Sequence, residues 1–190
     1  MSSSSPAPRG PVVTVSSNKG GVGKMCSFGE GVSMTPLQLG ALVSAIANGG
    51  TLYYMQHPNS PEQVANLRPR IKRQLEITQL IPQLTEGMAG TVEYGTGRSV
   101  RYNFSEEQIL GKTGTCSKDG TRFGWFASYA NTQYGRIVTV VFLQGGRPTF
   151  GPKAAEIAGR LYRNLYDHSF FATAPVTNER SNESAVGAAH

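Results

Sequence analysis

Apolar positions change their spacing along the chain, and the changes divide it into elements. Pro11–Ser16 (Pro-Val-Val-Thr-Val-Ser) is a short β-branched run that suits a strand. Thr35-Pro36 then opens a segment with apolar Leu37, Leu39, Leu42, Val43 and Ile46, which stops at Asn48-Gly49-Gly50. Threonine caps a helix start, proline suits its first turn and glycine suits its end, so a helix is predicted over Thr35–Asn48. Leu80, Ile81, Leu84 and Met88 predict a second helical stretch over Ile77–Thr91, and Tyr94-Gly95-Thr96-Gly97 breaks the pattern.

From Gln108 the pattern turns to strands. Gln108–Thr115, Gly124–Ala130 and Arg136–Leu143 are the three candidates, and Asp119-Gly120 and Asn131 to Gly135 suit hairpin turns between them. Pro152–Tyr166 reads as an amphipathic helix with Ala155, Ile157, Ala158, Leu161, Tyr162 and Leu165 on its apolar side. The expected fold is α/β of the α+β kind: a mainly antiparallel sheet in consecutive hairpins, flanked by helices, with Trp125 largely buried. Residues 1–10 are Ser/Pro/Gly-rich and expected to be disordered. Residues 11–171 form the expected domain, and the polar tail 172–190 is expected to be loose.

Composition narrows the function classes. The chain has 190 residues, enough for one domain with a substantial core, and 23 Gly with 11 Pro argue against a bundle of long helices. No stretch approaches the roughly 20 apolar residues of a transmembrane helix. No basic-then-apolar leader opens the chain, so no targeting signal is read, although a piece of an exported protein would look the same. The formal net charge is +6, with basic residues gathered at Arg68, Arg70, Lys72 and Arg73 and again at Arg160 and Arg163. Aromatic residues do not interleave with the basic run in sequence, so nucleic acid is not an expected partner. A solvated basic face or attraction to an anionic cell-wall polymer fits better. Cys26 and Cys116 form no C-x-x-C pair, and His57, His168 and His190 lack ligand spacing, so neither a metal nor another cofactor is expected.

The sharpest local signal is Gly111-Lys112-Thr113-Gly114-Thr115 on a predicted strand. The triplet Lys-Thr-Gly alone is weak, and its bland reading is a lysine guarding an exposed strand edge. Its surroundings raise its value: Gly124-Trp125-Phe126-Ala127 starts the next strand, a third apolar strand and a helix follow, and Gly29-Glu-Gly-Val-Ser-Met-Thr-Pro-Leu-Gln-Leu-Gly40 lies upstream. In that order, from roughly Ser16 to Tyr166, the chain resembles the C-terminal part of the penicillin-binding transpeptidase domain, within the serine β-lactamase-like superfamily. The resemblance implies acyl transfer to a serine from the D-alanyl-D-alanine end of a peptidoglycan stem peptide, sensitivity to β-lactams, and a place outside the cytoplasmic membrane alongside cell-wall synthesis proteins. It implies that Lys112 attracts the substrate carboxylate and that the Thr113 and Thr115 hydroxyls bond it. Gly114 would let the substrate backbone approach, and the Thr115 N–H would be one oxyanion-hole donor. Ser16-Ser17-Asn18 matches the family's Ser-x-Asn, with Ser16 as proton relay and Asn18 on the substrate amide. Taken alone that triplet would be an ordinary polar turn. A separation beyond about 8 Å between the Ser16 hydroxyl and the Lys112 amine, too far even for one bridging water, would count against a competent site.

Two departures stand out. The stretch between Asn18 and Lys112 is short for the family, and no convincing Ser-x-x-Lys nucleophile precedes Ser16. Ser16-Ser17-Asn18-Lys19 fits the spacing formally, but the pattern needs a helix and Gly20-Gly21 follows at once. The 190 residues alone are therefore expected to be inactive. Two other readings stay open. One is a non-catalytic module that docks to cell-wall or division proteins. The other rests on Val12 to Lys24, which resembles the deviant phosphate loop of chromosome-partitioning ATPases. Met25 stands there where a Mg²⁺-binding hydroxyl belongs, and Phe28-Gly29-Glu30-Gly31 interrupts the helix that should follow.

Overall fold

The computed structural model describes residues 13–15, 32–118, 120–133, 135–145 and 150–171. Strands β1 (Val13–Val15) and β2 (Val32–Met34) pair antiparallel. Helix α1 (Pro36–Ala47) follows at once, with Thr35 as its cap. The Thr35 hydroxyl accepts from the Gln38 N–H at 3.2 Å, and the Gln38 side chain accepts from the Thr35 N–H at 2.7 Å, which satisfies two otherwise orphaned donors. At the other end the Arg136 guanidinium donates to the Ala47 carbonyl and places a cation at the negative end of the helix dipole. Gly49 and Gly50 sit at φ +87° and +116°, which lets the chain turn sharply into β3 (Thr51–Tyr53). The short helix α2 (Pro61–Ala65) links β3 to its antiparallel partner β4 (Ile71–Gln74).

The second predicted helix starts later than its apolar pattern suggested. A 3₁₀ turn, Thr78–Leu80, precedes helix α3 (Ile81–Glu93). Pro82 explains the shift, because it carries no N–H and its ring would collide with the carbonyl four residues earlier in a helix begun at Ile77. Leu80 and Leu84 are exposed, whereas Met88 and Val92 are buried. A second 3₁₀ turn, Arg98–Tyr102, leads to the main sheet.

That sheet is an antiparallel meander of β5 (Ile109–Lys118), β6 (Thr121–Thr132) and β7 (Gly135–Gly145), with β6 central. The three strands occupy the predicted places and run a few residues longer. Helix α4 (Gly151–Asp167) closes the fold. One sheet face, with Ile109, Phe126 and Ala130, packs on Ala154, Ala155, Ala158 and Tyr162 of α4 and on Val100, Phe104 and Phe171. The other, with Leu110, Ala127 and Tyr129, packs on Val43 and Ala47 of α1 and Met88 of α3. The antiparallel sheet flanked by helices is the fold expected from the sequence. Residues 1–10 and 172–190, expected to be loose, lie outside the described residues.

Trp125 corrects an expectation. It is only half-buried, and its neighbour Phe126 takes the fully buried place. Side chains alternate across a strand, so one of the two had to face α4 and the other the opposite layer. Only the α4 side is closed over β6 at that point.

Helix α4 approaches through small residues. A Cβ added at Gly159 would overlap the Val100 carbonyl, which is backbone and cannot give way. Gly159→Ala is therefore expected to cost about 1–3 kcal/mol, as overpacking does, read as a lower urea midpoint. Inside the same layer the Tyr162 hydroxyl lies 3.0 Å from the Ser128 hydroxyl, and burial pushes the phenol's pKa up against the opposing bonds to Ser128 and Thr139. A raised folded pKa means this contribution to stability is complete below the ordinary phenol value near 10 and is lost as pH climbs past it. Tyr162→Phe should cost about 1 kcal/mol at pH 7 and make the fall in stability above pH 10 shallower. An unchanged alkaline limb would show that Tyr162 does not contribute to it.

Candidate active-site cleft

Alternation on β5 sorts the Gly111–Thr115 segment onto two faces. Gly111 and Thr113 pair with Ser128 and Phe126, while Lys112 and Gly114 pair with Ala127 and Trp125. The first pair faces α4 and the second faces the layer of α1 and α3.

On the α4 side the strand is pinned by close contacts. The Gly151 N–H, at the start of α4, donates to the Thr115 hydroxyl at 2.8 Å. The Thr113 hydroxyl shares a short hydrogen bond with the Thr96 hydroxyl. A Cβ added at Gly151 would stand 2.9 Å from Thr113 Cβ, and one at Gly124 would stand 2.6 Å from the Phe150 carbonyl carbon. A Cβ at Gly111 would meet the Phe126 ring at 2.5 Å. Such distances leave no slack, so the strand's position is set from behind.

The opposite side is open. A cleft of about 570 Å³ lies between α1, α3 and the sheet, walled by residues such as Leu39, Val43, Ile46, Leu84 and Met88 with Trp125 beside them. Among the described residues Lys112 is the only charged side chain that lines it. Its ammonium is exposed, donates to the Thr113 carbonyl at 2.8 Å, and forms no ion pair among the described residues. The Trp125 and Phe142 rings lie 4.3 Å apart, and Phe123 stacks on Phe142 at 5.9 Å, extending an aromatic row along this face. No described strand pairs with the outer edge of β5. A single cation beside an apolar wall and a free strand edge can hold an extended peptide by its backbone and anchor its carboxylate.

Lys112, Thr113, Gly114 and Thr115 thus lie together. Lys112, Thr113 and Gly114 line the cleft, while the Thr113 and Thr115 hydroxyls are engaged towards Thr96 and α4. Ser16 and Asn18 lie outside the described residues, as do Lys19 and Lys24. Two contributors were not foreseen. Thr96 sits in Tyr94-Gly95-Thr96-Gly97, which the sequence offered only as a break, and nothing local marked Gly151 as the donor to Thr115.

The protein-family comparison matches residues 12–166 to the penicillin binding protein transpeptidase domain. The chain belongs to that family. Stage V sporulation protein D of Bacillus subtilis (strain 168) is 32% identical, over 73% of this chain and 24% of the relative. Among solved structures, penicillin-binding protein PBP2 from Helicobacter pylori superposes with a TM-score of 0.60 at 20% identity, over 80% of this chain and 28% of that one. Pseudomonas aeruginosa PBP2 in complex with WCK 5153 gives 0.57 at 22% identity, over 80% and 35%. The chain therefore spans about a quarter of the curated relative, and these structures share its fold.

Cys116 follows the motif on β5 and is half-buried. Burial pushes its thiol up, against a hydrogen bond with Trp125. The thiolate is the reactive form, so in a Cys26→Ser background iodoacetamide should modify Cys116 several-fold more slowly than free cysteine at pH 8. The rate should still be rising above pH 9. A fast reaction at pH 7 would contradict this protected environment.

Proposed function

We propose that this chain forms one wall of a D,D-transpeptidase active site that acts on peptidoglycan stem peptides ending in D-alanyl-D-alanine and is acylated by β-lactams. In this reading the substrate lies along the outer edge of β5 as an added strand. Lys112 attracts its terminal carboxylate, Gly114 leaves room for its backbone, and the Thr115 N–H polarises the carbonyl under attack. Thr113 and Thr115 contribute their hydroxyls once substrate competes for the bonds to Thr96 and Gly151. Asn18 holds the substrate amide and Ser16 relays a proton. A serine oxygen forms the acyl bond as D-alanine leaves with that proton. We assign that serine to a Ser-x-x-Lys helix seated in the apolar cleft, rather than to Ser16. The reaction belongs outside the cytoplasmic membrane, among cell-wall synthesis proteins. The observation that carries the reading is Lys112, a cation without an ion pair among the described residues, on a strand edge that no described strand covers, beside an apolar cleft in a chain of this family.

The test uses a fluorescent penicillin and intact mass. The 190-residue chain should give no one-to-one covalent adduct. A chimera that adds the preceding part of the transpeptidase domain of the B. subtilis relative should be acylated. Lys112→Ala in that chimera should slow acylation about a hundredfold, the scale of losing one charge-assisted hydrogen bond, with its thermal transition unchanged. A stable adduct on the short chain mapped to Ser16 would instead make Ser16 and Lys19 the nucleophile and base.

A further inference from the structure

Away from the cleft, the ribbon of β3 and β4 with the α2 excursion between them has an unusual surface. All four side chains of β4 are exposed. Six large apolar side chains lie open within residues 53–71: Tyr53, Tyr54, Met55, Val64, Leu67 and Ile71, with Met55 and Ile71 each 62% exposed. Four cations, Arg68, Arg70, Lys72 and Arg73, share this ribbon, and none forms an ion pair among the described residues.

Strand pairing arranges them. The Tyr54 N–H donates to the Arg70 carbonyl at 2.8 Å, which sets the two residues side by side. The Arg70 guanidinium then lies 5.3 Å from the centre of the Tyr54 ring and the Lys72 ammonium 5.8 Å from it. The Gln56 side chain donates to the Arg68 carbonyl at 2.8 Å, and the Arg68 guanidinium donates to the Leu67 carbonyl at 3.0 Å, which tie the excursion together. The result is an exposed ribbon that carries an aromatic ring beside two cations, together with exposed aliphatic side chains.

We propose that this ribbon is a peripheral membrane-docking surface for a bilayer rich in anionic phospholipid. The cations match the phosphate headgroups, and tyrosine is suited to the headgroup boundary because one end is apolar and the other polar. A soluble polyanion would use the cations but leave Met55, Val64, Leu67 and Ile71 without a role. A bilayer uses both, with shallow insertion of the aliphatic side chains. Among the described residues no helix is long and apolar enough to cross a membrane. The inference does not depend on the transpeptidase reading.

Co-sedimentation of the 190-residue chain with vesicles tests it. Partitioning onto phosphatidylglycerol vesicles should be strong at low salt, weak at 0.5 M salt, and at least tenfold weaker onto phosphatidylcholine. Replacing Arg70, Lys72 and Arg73 together with Ser should lower the partition coefficient about a hundredfold, since each cation near the surface is worth about fivefold. Met55→Ser with Ile71→Ser should also weaken it while leaving the charge intact. All five positions are exposed, so circular dichroism should be unchanged. Replacing Arg9, Lys19 and Lys24 should leave most of the binding. The proposal fails if the chain does not partition, if it binds both vesicle types alike, if the ribbon variants bind as before, or if it binds soluble polyphosphate but no vesicle.

Discussion

The arrangement of the cleft depends on how closely helix α4 approaches the back of the main sheet. Gly124 and Gly151 each stand where an added Cβ would collide across this contact, with the Phe150 peptide or with Thr113 and the Gly114 carbonyl. Backbone meets backbone there, and the Gly151 N–H bonds directly to the Thr115 hydroxyl. A packed interior transmits such positioning because it has no slack. Strand alternation then converts a fixed back into a fixed front: with Thr113 and Phe126 held against α4, Lys112 and Trp125 must face the cleft.

The two faces of the sheet differ in how completely they are covered. Behind it, Phe104, Phe126, Tyr162 and Phe171 close a continuous core. In front, α1 and α3 cover only part of the sheet and leave Leu42 and Leu84 exposed beside the cleft. An ammonium placed beside such walls is worth more to an anion than one in open water, because screening weakens near low-dielectric surfaces. The same apolar walls expose surface that a further element would gain by covering. Lys112 therefore stands where an anion would be held more strongly than in open water, and the surrounding surface invites additional packing.

Belonging to a family and completing its reaction are separate matters for a chain of this extent. Residues 12–166 match the family's domain, yet the chain spans about a quarter of the sporulation relative. The described residues include a sheet, its supporting helices and a strand edge on which Lys112 lines the cleft. Making the acyl bond additionally requires an activated hydroxyl about 3 Å from the carbonyl under attack.

Sequence alone determined much of this protein, wherever local rules act on adjacent residues. Thr35-Pro36 and Asn48-Gly49-Gly50 marked α1 to within a residue, and the alternating runs with their turn residues placed β5, β6 and β7. Lys112-Thr113-Gly114 marked the strand of the cleft because the family motif is itself local. Tertiary structure decided what depends on coverage and pairing. Trp125 and Phe126 are equally apolar neighbours, and only the position of α4 made one a core residue and the other part of a cleft wall. Thr96 and Gly151 reached the motif strand from turns and helix ends that no spacing rule connects to it. In sequence the basic run at Arg68–Arg73 has no aromatic among it, yet antiparallel pairing brings the Tyr54 ring beside both Arg70 and Lys72. Periodicity and caps are properties of neighbouring residues, whereas burial and strand partners are fixed only when distant segments meet.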